Sequence, residues 1–159
     1  MLLERSTSDR LLRWWWLPLL PLLLVAGWYG QRLIQPPLAP QLPLDPSCLL
    51  DQSPCTLTLP TAGAVTVTLQ PQPIHPLQPL QLVVRGEGVT LQQANGVVSG
   101  VTMDMGQQWA NLTAQPDGSW QAPLMLPVCV SDRMGWELLL TIESDQGRWS
   151  LPFRFWSSN

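Results

Sequence analysis

The chain has 159 residues, with eight arginines, no lysine and eleven acidic side chains, for a net charge of −3. It offers no basic patch, which argues against nucleic acid as a partner. Past the apolar N-terminal stretch there is room for one domain of about 115 residues, long enough to bury a core.

Taken in order, residues 1–13 read as a short tail holding Arg5, Arg10 and Arg13. Residues 14–30 then form an apolar run with no charge. As a helix it spans roughly 25 Å, close to the thickness of a bilayer's hydrocarbon. Trp14, Trp15 and Trp16 stand at one end and Trp28 and Tyr29 at the other, the aromatic belts of a helix crossing both interfaces. The arginines ahead of the run put the N-terminus inside and the bulk outside. The expectation is a single-pass bacterial inner-membrane protein with its C-terminal domain in the periplasm. A competing reading is a cleaved signal peptide, with Val25-Ala26-Gly27 as a poor cleavage site.

Residues 31–54 read as a Pro-rich linker, extended and semi-rigid or simply a tether. Over residues 55–159 the hydrophobic period becomes two. Val65, Val67 and Leu69 share a face, as do Leu80, Leu82 and Val84. Val97, Ser99, Val101, Met103 and Met105 form another alternating set, and Trp149, Leu151, Phe153 and Phe155 a last one. Pro116-Asp117-Gly118 is a strong turn signal. Pro71, Pro73, Pro76 and Pro79 make 71–79 a loop or edge crossing, since proline cannot donate to a ladder. Short strands at such spacing predict an all-β fold, an immunoglobulin-like antiparallel β-sandwich of about seven strands. Trp120, Trp136 and Trp149 are large enough to dominate its core.

Sulfur carries most of the candidate chemistry. In an oxidising compartment Cys48 and Cys55 are close enough in sequence to staple the lead-in to the first strand. A bridge from one of them to Cys129, or no fixed disulfide, stays open on count and spacing alone. Met103 and Met105 form an M-x-M pair whose thioethers would share one face of a strand. Soft thioether and thiolate ligands select Cu(I). The candidate metal ligands are therefore Met103, Met105 and Cys129, with His75 and Met134 as weaker members. The bland alternatives are core-filling methionines and a solvated loop histidine. There is no nucleophile elbow, no phosphate loop and no histidine spaced to pair with a carboxylate, so no enzymatic activity is expected.

The run Val101-Thr102-Met103-Asp104-Met105-Gly106, then Pro116-Asp117-Gly118-Ser119-Trp120, Leu126-Pro127-Val128-Cys129 and Met134-Gly135-Trp136-Glu137-Leu138 resembles the FixH/YtkA-like family, over roughly residues 62–156. Met103, Met105 and Trp136 are the matching positions, and the three cysteines mark a divergent branch. The resemblance implies one N-terminal membrane helix, an Ig-like extracytoplasmic domain, and an accessory role in copper or cation handling or in assembling a membrane complex such as a respiratory oxidase. It implies no catalytic residue. The rival expectation is a non-metal interaction module of the cell envelope, working through sheet edges or its acidic face.

Overall fold

The computed structural model describes residues 19–34, 39–61 and 63–158. The chain divides into two compact units between Leu38 and Ala39.

The first unit contains helix α1, Leu19–Ile34. Its leucines are good helix formers, and Pro21 falls in the first turn, where a missing N–H costs little. The helix runs four residues beyond Gly30 and so takes Gln31–Ile34 from the expected linker. Leu22, Leu23, Leu24, Trp28 and Tyr29 are all exposed on it. Among the described residues no helix is long and apolar enough to cross a membrane. The tail at 1–13 and the tryptophans at 14–16 lie outside the described residues.

The second unit is a β-sandwich. Its strands are β1 (Cys55–Thr58), β2 (Ala64–Gln70), β3 (Pro79–Glu87), β4 (Leu91–Gly100), β5 (Gln107–Asn111), β6 (Thr113–Ala114), β7 (Trp120–Met125), β8 (Arg133–Ser144) and β9 (Gly147–Ser158). One antiparallel sheet has the order β1-β2-β3-β7-β6, the other β5-β4-β8-β9. The sheets meet across an apolar core to which both contribute, with Val67, Leu82 and Ala122 from one and Val98, Leu138 and Phe153 from the other. Trp136 is buried in it, and Trp120 and Trp149, partly buried, pack against it.

Alternation places Val65, Val67 and Leu69 of β2 and Leu80, Leu82 and Val84 of β3 inward, as their period predicts. On β4 the phase is opposite to the expected one. Ala94, Gly96 and Val98 face the core, while Val97 and Ser99 are half-exposed on the outside. A one-residue offset turns every side chain to the other face. Small residues occupy the inside because neighbours fill the space. A Cβ at Gly96 would lie 3.0 Å from Leu138 Cδ1 and 3.5 Å from Leu82 Cδ2.

Among the described residues there are nine strands rather than about seven. One extra is the short β1. The other is β6, created where Leu112 alone carries the chain from one sheet to the other, its N–H donating to the Ala94 carbonyl at 3.2 Å. Pro123 lies in β7, where β6 pairs only with Trp120 and Gln121, so the missing N–H falls beyond the covered stretch.

The expected linker is also shorter than predicted. Residues 39–54 belong to the sandwich unit and run parallel along β9, with bridges Gln41 to Ser150 and Leu49 to Arg154. Leu50 is fully buried. Such a cover removes the row of unpaired groups that an edge strand presents. The Cys48–Cys55 disulfide, with Cα atoms 5.7 Å apart, joins this lead-in to β1.

The β6–β7 turn has the predicted chemistry. Asp117 accepts hydrogen bonds from the Ser119 backbone N–H at 3.0 Å and hydroxyl at 2.6 Å, and Gly118 sits at φ 79°. Ser119, then Arg85 at 2.6 Å, hold the Asp117 carboxyl down from 3.8 to about 2. A carboxylate favoured in the folded state stabilises it fully above the unfolded value and ceases to do so as pH falls through the folded one. Ser119→Ala is therefore expected to flatten acid unfolding between pH 3.8 and about 2, read by circular dichroism. An unchanged acid limb would show that this turn does not contribute to it.

Candidate functional site

Three connections and the end of β9 gather at one end of the sandwich: residues 71–78, 101–106 and 126–132. They are fastened by backbone hydrogen bonds. Leu77 N–H donates to the Leu126 carbonyl at 3.0 Å, Val101 N–H to Gly135 at 2.8 Å, and Ser158 N–H to Ile74 at 3.2 Å.

All five sequence-predicted metal candidates lie at this end. β4 stops at Gly100, so Met103 and Met105 sit in a loop and not on a strand. The expected sharing of one strand face is therefore overturned. The loop is shaped by Asp104, whose Oδ1 accepts the Gly106 N–H at 2.9 Å, and by Gly106 at φ 73°. Met103 is left 44% exposed, while Met105 is half-buried against the core.

Cys129 comes from the β7–β8 connection and is buried. Its Sγ lies 3.9 Å from Met103 Sδ. Met134 is buried near the start of β8. Gly100 brings Met134 and Met103 together, because a Cβ there would meet Met134 Cε at 2.6 Å and would overlap the Met103 carbonyl. Only glycine leaves that space. This residue was not singled out from sequence, where it reads as one more small residue ending a strand.

His75 is tied to the end of β9. Its Nδ1 lies 2.7 Å from the Ser158 carbonyl oxygen. A carbonyl only accepts, so Nδ1 carries the hydrogen and Nε2 is the nitrogen left to act as a ligand. Among the described residues no three His, Cys, Asp or Glu side chains are grouped to hold a metal. Any ion held at this end would depend on thioethers together with Cys129.

The rim around the sulfur pair is apolar and open. Val128 and Val130 flank Cys129, and Val130 is 93% exposed. Leu77 and Val101 are exposed on the two neighbouring loops. An exposed apolar group of this kind marks contact surface more often than chance.

Two concavities open beside the 71–78 connection, and neither was foreseen from sequence. One, of about 590 Å³, is lined by Pro54, Pro71, Pro79, Pro123, Gln70 and Gln81 among others. Its walls carry no acid, base or thiol, so they supply contacts rather than chemistry. The other, about 190 Å³, includes Asp51, Arg133 and Trp156. There the Arg133 guanidinium stacks 4.5 Å from the Trp156 ring centre, and Asp51 accepts the Trp156 backbone N–H at 3.0 Å. The scattered positions 51, 133 and 156 give no local signal by which to find it.

No known protein family, curated protein or solved structure matches the chain.

Proposed function

We propose that the chain is a non-enzymatic accessory protein of the bacterial cell envelope, anchored in the inner membrane by its N-terminal helix, whose periplasmic β-sandwich binds Cu(I) at the Met103–Cys129 end. The observation that carries this reading is the 3.9 Å separation of Met103 Sδ and Cys129 Sγ. With metal–sulfur bonds of about 2.3 Å, two sulfurs that far apart subtend roughly 116° at a shared ion. That is close to a trigonal angle, whereas a linear pair would need about 4.6 Å. A trigonal ion calls for a third donor, and Met134, whose Cε packs against Gly100, is the thioether we assign to that role. Soft sulfur donors favour Cu(I) over the harder divalent ions.

Binding would convert the Cys129 thiol to a thiolate and release one proton. Cu(I) keeps its oxidation state throughout, so the step is a ligand exchange. The open rim of Val128, Val130 and Val101 suits a site that receives or passes on its ion by contact with another protein. An accessory role in assembling a metal-containing membrane complex, such as a respiratory oxidase, fits that arrangement and the FixH/YtkA-like resemblance. So does the strand order. With β1 set aside, β2-β3-β7-β6 against β4-β8-β9 follows the two sheets of an immunoglobulin domain, with β5 added beside β4. The exposed Leu- and Trp-bearing surface of α1 supports the anchor.

The test is a competition between the full-length detergent-solubilised protein and a Cu(I) chelator under reducing conditions. One Cu(I) per chain is expected. Met103→Leu combined with Cys129→Ser should abolish it, and His75→Ala should leave it intact. Failure to bind, or binding that survives the double substitution, overturns the metal reading.

A further inference from the structure

The edges of the two sheets are not treated alike. The lead-in covers β9 through hydrogen bonds from Leu42 N–H to Ser150 and from Leu50 N–H to Arg154. Strand β1 has four residues and lies between Pro54 and Pro60. Strand β6 has only two. Proline and brevity both discourage pairing with another chain. The remaining edge, β5, is five residues long, Gln107–Asn111, with no proline, no charge and no covering segment among the described residues.

That edge also carries the most exposed tryptophan of the sandwich. Trp109 is 67% exposed, although a surface tryptophan is costly to leave in water. It does not stand alone. Trp109 pairs with Val97, Val97 with Leu139, and Leu139 with Pro152, so an apolar row crosses the outer face of the sheet and ends at the open edge.

Charge decides what fits there. β4 and β5 together hold no ionisable side chain. The charged pair nearest this row, Glu137 and Arg154, lies on the two far strands and is 3.5 Å apart. A symmetric contact sets each residue near its own copy, so charges along a shared edge repel. This edge has none, and nothing on it selects a charged partner.

We infer that β5 is a self-association edge, and that its occupant is β5 of a second copy of this chain. Antiparallel pairing centred on Trp109 sets Trp109 against Trp109, with Gln107 opposite Asn111 of the second copy. Both apolar rows then join into one across an eight-stranded sheet. Registers displaced by two residues would set Trp109 against an amide instead. Tryptophans at the centre of an interface are the usual energetic anchors.

Full-length protein in detergent tests this by light scattering during size-exclusion chromatography and by cross-linking. A dimer is expected. Trp109→Lys should weaken it at least thirtyfold, and Thr58→Lys on the β1 edge should not. Oxidation of a Gln107→Cys/Asn111→Cys variant should give a disulfide-linked dimer, with the wild-type chain as the control for its own cysteines. Circular dichroism checks that each variant is folded. A monomer at all concentrations, a dimer indifferent to Trp109→Lys, or no cross-link at 107 and 111 would each overturn the inference.

Discussion

Replacing Trp136 with alanine is expected to cost about 3–5 kcal/mol of folding free energy, among the largest effects of any single change in the sandwich. Trp136 is 1% exposed. On β8 it pairs with Gly100 on one side and with Phe155 on the other. Its side chain points inward, so truncation opens a void that no neighbour can fill without moving. A second loss adds to the first. The indole Nε1 donates to Ser157 Oγ at 2.9 Å in a buried site, and truncation leaves that hydroxyl without its donor. Trp136→Phe separates the two, because the ring keeps most of the volume but not the N–H. It should cost about 1–3 kcal/mol. Urea unfolding of the two variants checks both figures. A Trp136→Ala loss under about 1 kcal/mol would mean that this end of the core collapses around the gap.

Much of this core was legible as alternation. β2, β3 and β9 read correctly because bulky apolar residues occupy one face and polar ones the other. β4 did not, and the reason is physical. Its inner positions are Ala94 and Gly96, held small by Leu138 and Leu82, while its outer face carries Val97 in the row leading to Trp109. A strand with small residues inside and an apolar residue outside reverses the sign of the pattern. The nearness of Trp109 to solvent was illegible for the same reason, since hydrophobicity alone assigns it to the core.

The sulfur site was legible as a set of residue types and not as an arrangement. Spacing suggested that Met103 and Met105 pair with each other along a strand. The chain instead turns at Gly100, so Met103 meets Cys129, which is 26 residues away, and Met105 packs inward. Loop paths depend on contacts from other elements, here Met134 and the Asp104–Gly106 turn, and a local period carries no record of them. Position 75 shows the same limit. The histidine lies in the Pro-rich connection that reads as a loop, but its hydrogen bond to Ser158 spans 83 residues.

Removing the Cys48–Cys55 bridge, by Cys48→Ala with Cys55→Ala, is expected to cost about 2–3 kcal/mol on chain-entropy grounds. The bridge closes a segment with a separation of only seven residues, so the loss through the unfolded chain is at the low end for a disulfide. The folded-state consequence is larger than that figure suggests. Cys48 immediately precedes Leu49, which bridges to Arg154 in β9, whereas Cys55 opens β1 and pairs with Val67 in the opposite sheet. The disulfide thus ties a cover on one sheet to the edge strand of the other. Without it the lead-in is held to β9 by Leu50 and by hydrogen bonds at Pro40, Ser150 and Arg154. Amide exchange at Leu42, Leu50 and Ser150 is expected to speed up in the double variant more than exchange at Leu140 in the centre of β8. Once the cover lifts, β9 presents a bare edge next to Trp149 and Trp156, and concentration-dependent aggregation should follow. Equal exchange changes at all four amides would show that the bridge acts only by restricting the unfolded chain. Faster exchange confined to the lead-in and β9 would assign it to holding the edge shut.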